Sequence, residues 1–277
     1  MPSMYGDLDR PPLHAEALRR ALVTAGSLWT EIEVVAASPS TNAVLADRAR
    51  ATGDDGVVLV AEHQTAGRGR LDRTWTTPAR SGITLSFLVR PSTVEAARWP
   101  WLPLMAGLVV AATLRDQAGV AAAVKWPNDV IVDDRKLAGI LVERVEAIGR
   151  TPAAVVGIGL NVSLRDDELP VPTATSLVLE QATTTDRSQL TRALLRNFGR
   201  LYSSWMLSGG DPAQGLQAAY IDACATLGRQ VRVELVGGGA ATGEAVGVDS
   251  LGRLQVDTAQ GRQSVGAGDV IHLRAVT

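Results

Sequence analysis

Cysteine occurs once in the 277 residues, as Cys224. No disulfide can form within the chain, which fits a reducing compartment, and the cytoplasm is the expected setting. Histidine is almost as scarce, confined to His14, His63 and His272; without a cysteine pair beside them, nothing supports a structural zinc site. Basic excess is absent too. The 27 Lys plus Arg face 29 Asp plus Glu, so DNA and RNA are not expected as partners. Long apolar runs are missing: the longest, Leu102 to Leu114, contains Pro103 and falls short of the ~20 residues that cross a bilayer. The start, MPSMYGDLDRPPLH, puts acids and prolines where a signal peptide needs an apolar core. A soluble globular chain remains, with 46% hydrophobic and 20% charged residues, long enough for one large domain carrying a small one.

The scarcity of lysine is more specific. Of the 27 cationic residues only Lys125 and Lys136 are lysines. An arginine bias alone leaves a few lysines by chance. These two, however, stand beside the densest polar motif of the chain, and a compact ammonium does different chemistry from a planar guanidinium.

What is present alternates between helical and strand patterns. Residues 1–11 read as a flexible lead, and 13–25 as a helix stopped at Gly26. The β-branched run 56–62 and the segment 83–90 read as strands. Between them, 63–82 has no apolar period and reads as a long loop, of the kind that is usually functional or mobile. A buried helix over 99–119 precedes short strands around 120–126, 130–133, 137–146 and 153–162. Residues 163–176, rich in acids, prolines and threonines, read as a second mobile loop. Helices follow at 189–206 and 212–225. From Gly228 the texture changes to short alternating stretches broken by glycine, which fit four or five antiparallel strands in a small β-barrel.

Five polar features stand out. SPSTN (38–42) precedes an alanine-rich helix, where capping and ligand binding are compatible roles. GRGR (67–70), with Arg73 and Trp75 beyond, combines anion-matching forks with glycines that let backbone approach a ligand; it lacks the lysine and Ser/Thr of a P-loop. Taken alone, such a stretch is usually a solvated loop. KWPNDV (125–130) projects Asn128 and Asp129 from a strand end, although Pro-Asn-Asp is also an ordinary turn. KLAGILVE opens at Lys136 and carries Gly139 inside a strand, a sign of close backbone approach. GIGLNV (157–162) also fits a strand ending in a bulge.

In this order, SxSTN, QxxGRGR, KWPND, KLAGIL and GxGxN resemble the biotin–protein ligase family, over roughly residues 34–277. The resemblance is to the form without an N-terminal DNA-binding domain, since no winged helix fits before residue 34. It implies an α+β fold, a mixed sheet with packed helices of the type shared with lipoate ligases, as a catalytic domain (1–227) followed by the barrel (228–277). It implies that biotin is activated by ATP with Mg2+ to biotinyl-5'-AMP and passed to a lysine of a biotin carboxyl carrier domain of a carboxylase, with no role for DNA or membrane. On the matching positions, Ser40, Thr41, Asn42, Gln64, Gly67, Arg68, Lys136 and Gly139 would hold biotin. Arg70, Arg73, Trp75, Lys125, Asn128, Lys136 and Asn161 would hold ATP. Lys136, Arg70 and Asp129 would carry the chemistry, with Asp129 where the acceptor lysine enters. No acid is assigned to magnesium, and the oligomeric state is open. Loops 63–77 and 163–176 would order over the ligands.

One departure stands in the arginine loop. Leu71-Asp72 replace a basic residue and a glycine, so an acid enters a phosphate-binding segment, a flexible position is lost, and the role of Arg73 is put in doubt. Residues 228–277 carry no motif suited to adenylate formation and are expected to contact the carrier or support closure. The same chemistry on lipoate or octanoate is the nearest alternative, although the polar STN cluster and Gln64 suit a ureido ring better than an aliphatic chain. A biotin-responsive regulatory protein is the alternative from another class.

Overall fold

The computed structural model describes residues 10–235 and 238–273; the N-terminal lead up to residue 9 and the last four positions of the C-terminal module lie outside them. Seven strands form the main sheet: β1 Glu31–Val35, β2 Val57–Ala61, β3 Gly82–Val89, β4 Ala123–Lys125, β5 Asp129–Val132, β6 Arg135–Val145 and β7 Ala153–Asn161. Their spatial order is β1-β2-β3-β7-β6-β5-β4. Only β1 and β2 are parallel, because the helix α2 (Thr41–Ala51) crosses between them. The sequence reading missed β1, whose EIEVV buries little beyond Ile32.

Strand alternation separates two layers. Val58 and Val60 of β2 join the larger apolar cluster, with Ile83, Leu85 and Phe87 of β3. Val57 and Leu59 face the opposite way, against Leu45, Ala46 and Ala49 of α2. The larger side is covered by α1 (Ala15–Leu22), α3 (Trp101–Ala118) and α4 (Arg187–Leu207). The stretch Ala96–Ala118 is in fact long and apolar enough to cross a membrane by length and composition, a correction to the estimate from the run 102–114. It packs within the core instead, with Trp101, Leu102, Met105, Ala106, Val110 and Leu114 fully buried. It stops at Gly119, whose φ of 66° closes the helix in the left-handed region.

After α5 (Leu216–Ala223), five antiparallel strands follow: β8 Gln230–Leu235, β9 Ala240–Val248, β10 Leu254–Thr258, β11 Gly261–Val265 and β12 Gly268–His272. Their order is β11-β10-β9-β8-β12. The small barrel expected here is present as a five-stranded antiparallel sheet; among the described residues its two edge strands, β11 and β12, do not pair with each other. This sheet is fastened to the rest by tryptophans. Trp101 Nε1 donates to Ser250 O at 2.9 Å and Trp126 Nε1 to Gly252 O at 3.0 Å, both in the β9–β10 turn. Val231, Val233, Leu254 and Val256 extend the main apolar cluster. A polar seam completes the junction: Arg229 Nη1 donates to Asp134 Oδ1 at 2.7 Å, and His272 lies 3.1 Å from the same oxygen. Burial holds His272 below its ordinary value, so its ring stands neutral near pH 7 between Asp134 and Thr226.

Candidate active site

A cavity opens on the α2 face of the sheet, where the strands lose their large side chains. β3 presents Thr84 and Ser86 there, β6 presents Gly139, and β7 presents Gly157 and Gly159. Gly139 and Gly159 are direct partners in the β6–β7 ladder. A Cβ at Gly159 would stand 2.7 Å from Trp75 Nε1, and one at Gly139 would stand 3.2 Å from Trp75 Cζ3. The indole therefore rests on a floor made by glycine. Its N–H is buried and has no protein acceptor. With the ring inside, the cavity measures about 130 Å³, well under the ~300–1,000 Å³ usual for a ligand pocket.

One end of the cavity is a hydroxyl and amide cluster. Ser40 caps α2, accepting weakly from Ala43 N at 3.4 Å. Gln64 Oε1 accepts from Thr41 N at 2.8 Å and lies 3.1 Å from Thr41 Oγ1. Ser86 Oγ donates to Asn42 Oδ1 at 2.6 Å and lies 2.6 Å from Thr41 Oγ1. Since the single Ser86 proton goes to Asn42, Thr41 must give its own to Ser86 or Gln64. Thr41 thus faces the cavity as an acceptor. Asn42 is fully engaged: Nδ2 donates to Leu141 O at 3.2 Å and to Glu143 Oε2 at 2.8 Å. It braces the cluster across Gly157, where a Cβ would overlap its side chain, and neither of its amide protons points to a ligand. Glu143 also pairs with Arg68.

The other end is cationic. Lys136 Nζ lies 2.6 Å from Asp129 Oδ1, an ion pair outside hydrogen-bond alignment. It also stands 5.9 Å from the Trp75 ring centre, above Gly139. Arg70 Nη1 donates to Asn128 Oδ1 at 2.9 Å, and Arg73 pairs with Asp269. Two residues expected here are elsewhere. Lys125 is off the cavity wall; burial, its dominant influence, lowers its pKa against the raising effects of Asp129 and Asp134. Asn161 is buried and donates Nδ2 to Thr175 O at 2.9 Å. It fastens the 163–176 segment, which is further stitched to β6 by Lys136 N to Thr173 O at 2.7 Å and Thr175 N to Lys136 O at 2.8 Å. That segment is docked, where the sequence reads as a mobile loop. Gly67 is likewise off the main wall; a Cβ there would overlap Trp75 O and stand 2.7 Å from Gln64 Nε2, so the glycine chiefly lets the chain at Trp75 come close.

The supposed loop after β2 contains a short hairpin. Trp75 N bonds Gly67 O at 2.9 Å, Gly69 N bonds Arg73 O at 2.7 Å, and Arg73 N closes the turn on Arg70 O at 3.1 Å. Its two central residues are Leu71 and Asp72, with φ of 52° and 57°. This is the left-handed pair of a tight hairpin turn, where Asn-Gly or Asp-Gly is favoured. Asp72 makes no hydrogen bond or ion pair among the described residues, so its charge only repels an incoming phosphate. Asp72→Gly keeps the turn and removes that charge. An exposed charge of this kind acts on the order of 1 kcal/mol or less, so the KM for ATP should fall by up to about fivefold with that for biotin unchanged. A higher KM for ATP would show that Asp72 organises the arginines.

Sequence reasoning missed Ser86, Glu143 and Asp269. Ser86 had a signal, a polar residue in phase with Thr84 along an otherwise apolar strand. Asp269 had none, since only tertiary packing brings it to the cavity.

Comparison with known proteins agrees with this geometry. A family model described as the biotin/lipoate A/B protein ligase family matches residues 34–161, and one described as the biotin protein ligase C-terminal domain matches 226–273. The chain is 44% identical to a biotin–[acetyl-CoA-carboxylase] ligase of Mycobacterium tuberculosis over 96% of this chain and 97% of that protein. It is 30% identical to the bifunctional ligase/repressor BirA of Bacillus subtilis, over 83% of this chain and 70% of that one. Among solved structures, a biotin protein ligase from Aquifex aeolicus in complex with biotin and ATP superposes with a TM-score of 0.73 at 27% identity, covering 89% of this chain and all of that one. With near-complete coverage by a relative of that identity and both halves matched, the chain belongs to the biotin protein ligase family.

Proposed function

We propose that this protein activates biotin with MgATP to biotinyl-5'-AMP and transfers the biotinyl group to a lysine of a biotin carboxyl carrier domain, in the cytoplasm. The observation that carries the reading is the polarity of the cavity. It has an acceptor-rich hydroxyl cluster at one end, a glycine floor under an indole in the middle, and Lys136 with two arginines at the other. A ureido ring, an aliphatic chain and an acyl phosphate follow one another in the same order.

In this reading Thr41 and Ser40 accept from the ureido N–H groups, and Gln64 offers its free amide protons to the ureido oxygen. Asn42 and Ser86 hold that cluster in place, and Arg68, fixed by Glu143, borders it. The valeryl chain runs over Gly139 and Gly159 once the Trp75 indole, which rests on them in this structure, lifts to cover it. The biotin carboxylate attacks the α-phosphorus and pyrophosphate leaves. Lys136 stands where charge builds on the α-phosphate, while Arg70 and Arg73 face the departing phosphates. The carrier amine then attacks the anhydride carbonyl and AMP leaves; Asp129, paired with Lys136, stands where that amine enters. No covalent enzyme intermediate is needed, so orientation and preorganised charge supply the rate, and the hairpin keeps water from the anhydride.

Magnesium accompanies the triphosphate. Among the described residues, no group of three or more His, Cys, Asp or Glu could hold a metal ion. Both carboxylates on the wall are already paired, Asp129 with Lys136 and Asp269 with Arg73. The residues do not fit a resident metal site, so the ion belongs to the MgATP substrate and no step is routed through it. The test is incubation of the purified protein with biotin, MgATP and a carrier domain. Biotin-dependent pyrophosphate release and a biotinylated carrier are expected. Turnover with lipoate in place of biotin would reassign the substrate.

A further inference from the structure

We propose that Asp269, in the C-terminal sheet, is a positioning residue for nucleotide binding: it presets Arg70 and Arg73 of the hairpin before ATP arrives. The inference rests on the reading of those arginines as phosphate contacts and adds to it a role for the C-terminal sheet, in which the sequence shows no motif for the first step.

Three features carry it. First, the position of Asp269 is tightly determined. It is the second residue of β12, opposite Glu234 of β8, next to Gly268, where a Cβ would stand 2.6 Å from Glu234 O and 2.8 Å from Val233 Cγ1. Glycine is required for β12 to lie that close, and the sheet is itself fixed to the sheet of seven strands by the Trp101 and Trp126 indoles. Second, β12 supplies acceptors to both arginines at once. Arg70 Nη1 reaches Gly268 O at 3.3 Å and lies 4.0 Å from Asp269 Oδ1, while Arg73 pairs with Asp269 Oδ2. Third, each guanidinium is engaged through a single terminal nitrogen, Nη1 of Arg70 and Nη2 of Arg73. Their remaining N–H groups stay available for phosphate oxygens, since the fork carries five donors.

The physical effect is preorganisation. Arginine side chains lose considerable rotamer freedom when held, and ordering them in advance removes that cost from the binding step. Asp72 offers the contrast: an acid in the same hairpin, it holds neither arginine, so its charge acts only by repulsion. Removing the two acids should therefore change ATP binding in opposite directions.

The experiment compares wild type, Asp269→Asn and Asp269→Glu in the full-length protein. Binding of biotin and of α,β-methylene-ATP, which cannot release pyrophosphate, is measured by calorimetry, and tryptic cleavage after Arg70 and Arg73 is timed without ligand. Asp269→Asn is expected to weaken the nucleotide analogue about tenfold, leave biotin binding within about twofold, and speed hairpin cleavage severalfold; Asp269→Glu should recover part of each loss. In an Arg73→Ala background, Asp269→Asn should add at most about threefold, because its main partner is gone. Unchanged or tighter nucleotide binding in Asp269→Asn, or fully additive losses with Arg73→Ala, would overturn the inference while leaving the proposed function intact. A wild-type protein that binds neither ligand would sink both.

Discussion

Lys136→Arg should be nearly as inactive as Lys136→Ala, with kcat for biotin-dependent pyrophosphate release reduced by about 10²–10³. The charge is kept in this substitution, so the expectation rests on shape. The Lys136 side chain lies along the glycine floor, and a Cβ at Gly139 would be 3.2 Å from its Cε and 3.3 Å from its Nζ. The ammonium is bounded by Asp129 at 2.6 Å and by the Trp75 ring. A guanidinium is wider and planar, and it cannot occupy that slot without lifting Trp75 or breaking the Asp129 pair. Backbone bonds on both sides of Lys136, to Thr173 and from Thr175, prevent the strand from yielding. Because the contact strengthens as charge develops on the α-phosphate, the loss should fall on kcat and not only on KM. Lys125→Arg, off the cavity wall, should be much milder. A Lys136→Arg enzyme with near-normal kcat would show that the lysine there is an accident of an arginine-rich composition.

How much of this site could be read in advance differs from residue to residue. Lys136, Gly139, Arg70 and Asn128 belong to contiguous motifs, and the structure brings them to one wall because β5, β6 and the hairpin are neighbours. The strand and helix pattern was legible for the same reason: apolar spacing is a local property, and the segments 56–62, 83–90 and 153–162 are strands as read. The hairpin was not legible. Its backbone bonds join residues a few positions apart, but Leu71 is a poor residue for a left-handed position and the glycine usual in such a turn is missing, so local preference pointed away from it. Asn42 and Asn161 carry the motif residue type, yet their amide protons are consumed within the protein, which a string of letters does not reveal. The short alternating strands after Gly228 predict a small barrel-like sheet, and five antiparallel strands are there. Whether two edge strands meet is decided by long-range packing, and among the described residues β11 and β12 do not pair.

The glycine floor makes the second demanding prediction. Gly159→Ala should lower kcat/KM for biotin by about 10², equivalent to ~2.7 kcal/mol, with nucleotide-analogue binding and thermal stability little changed. Gly159 lies in the middle of the sheet, in β7, with its neighbours Ile158 and Leu160 buried on the opposite side. The added methyl would enter the cavity and not the core, so the fold should tolerate it. In the cavity it would stand 2.7 Å from both Cζ2 and Nε1 of Trp75, closer than carbon contacts allow. The indole would have to rise, carrying with it the hairpin strand that Trp75 N fastens to Gly67 O at 2.9 Å. An acyl chain that must lie on this floor, under a ring that lifts to admit it, would then meet both a raised floor and a displaced roof. The mechanism is separable from a general packing defect. Replacing the ring as well, in Gly159→Ala with Trp75→Ala, removes the collision, so the double variant should bind biotin better than the sum of the two single losses predicts. Additive losses, or a Gly159→Ala protein with wild-type KM for biotin, would mean that the acyl chain does not run between this glycine and this tryptophan.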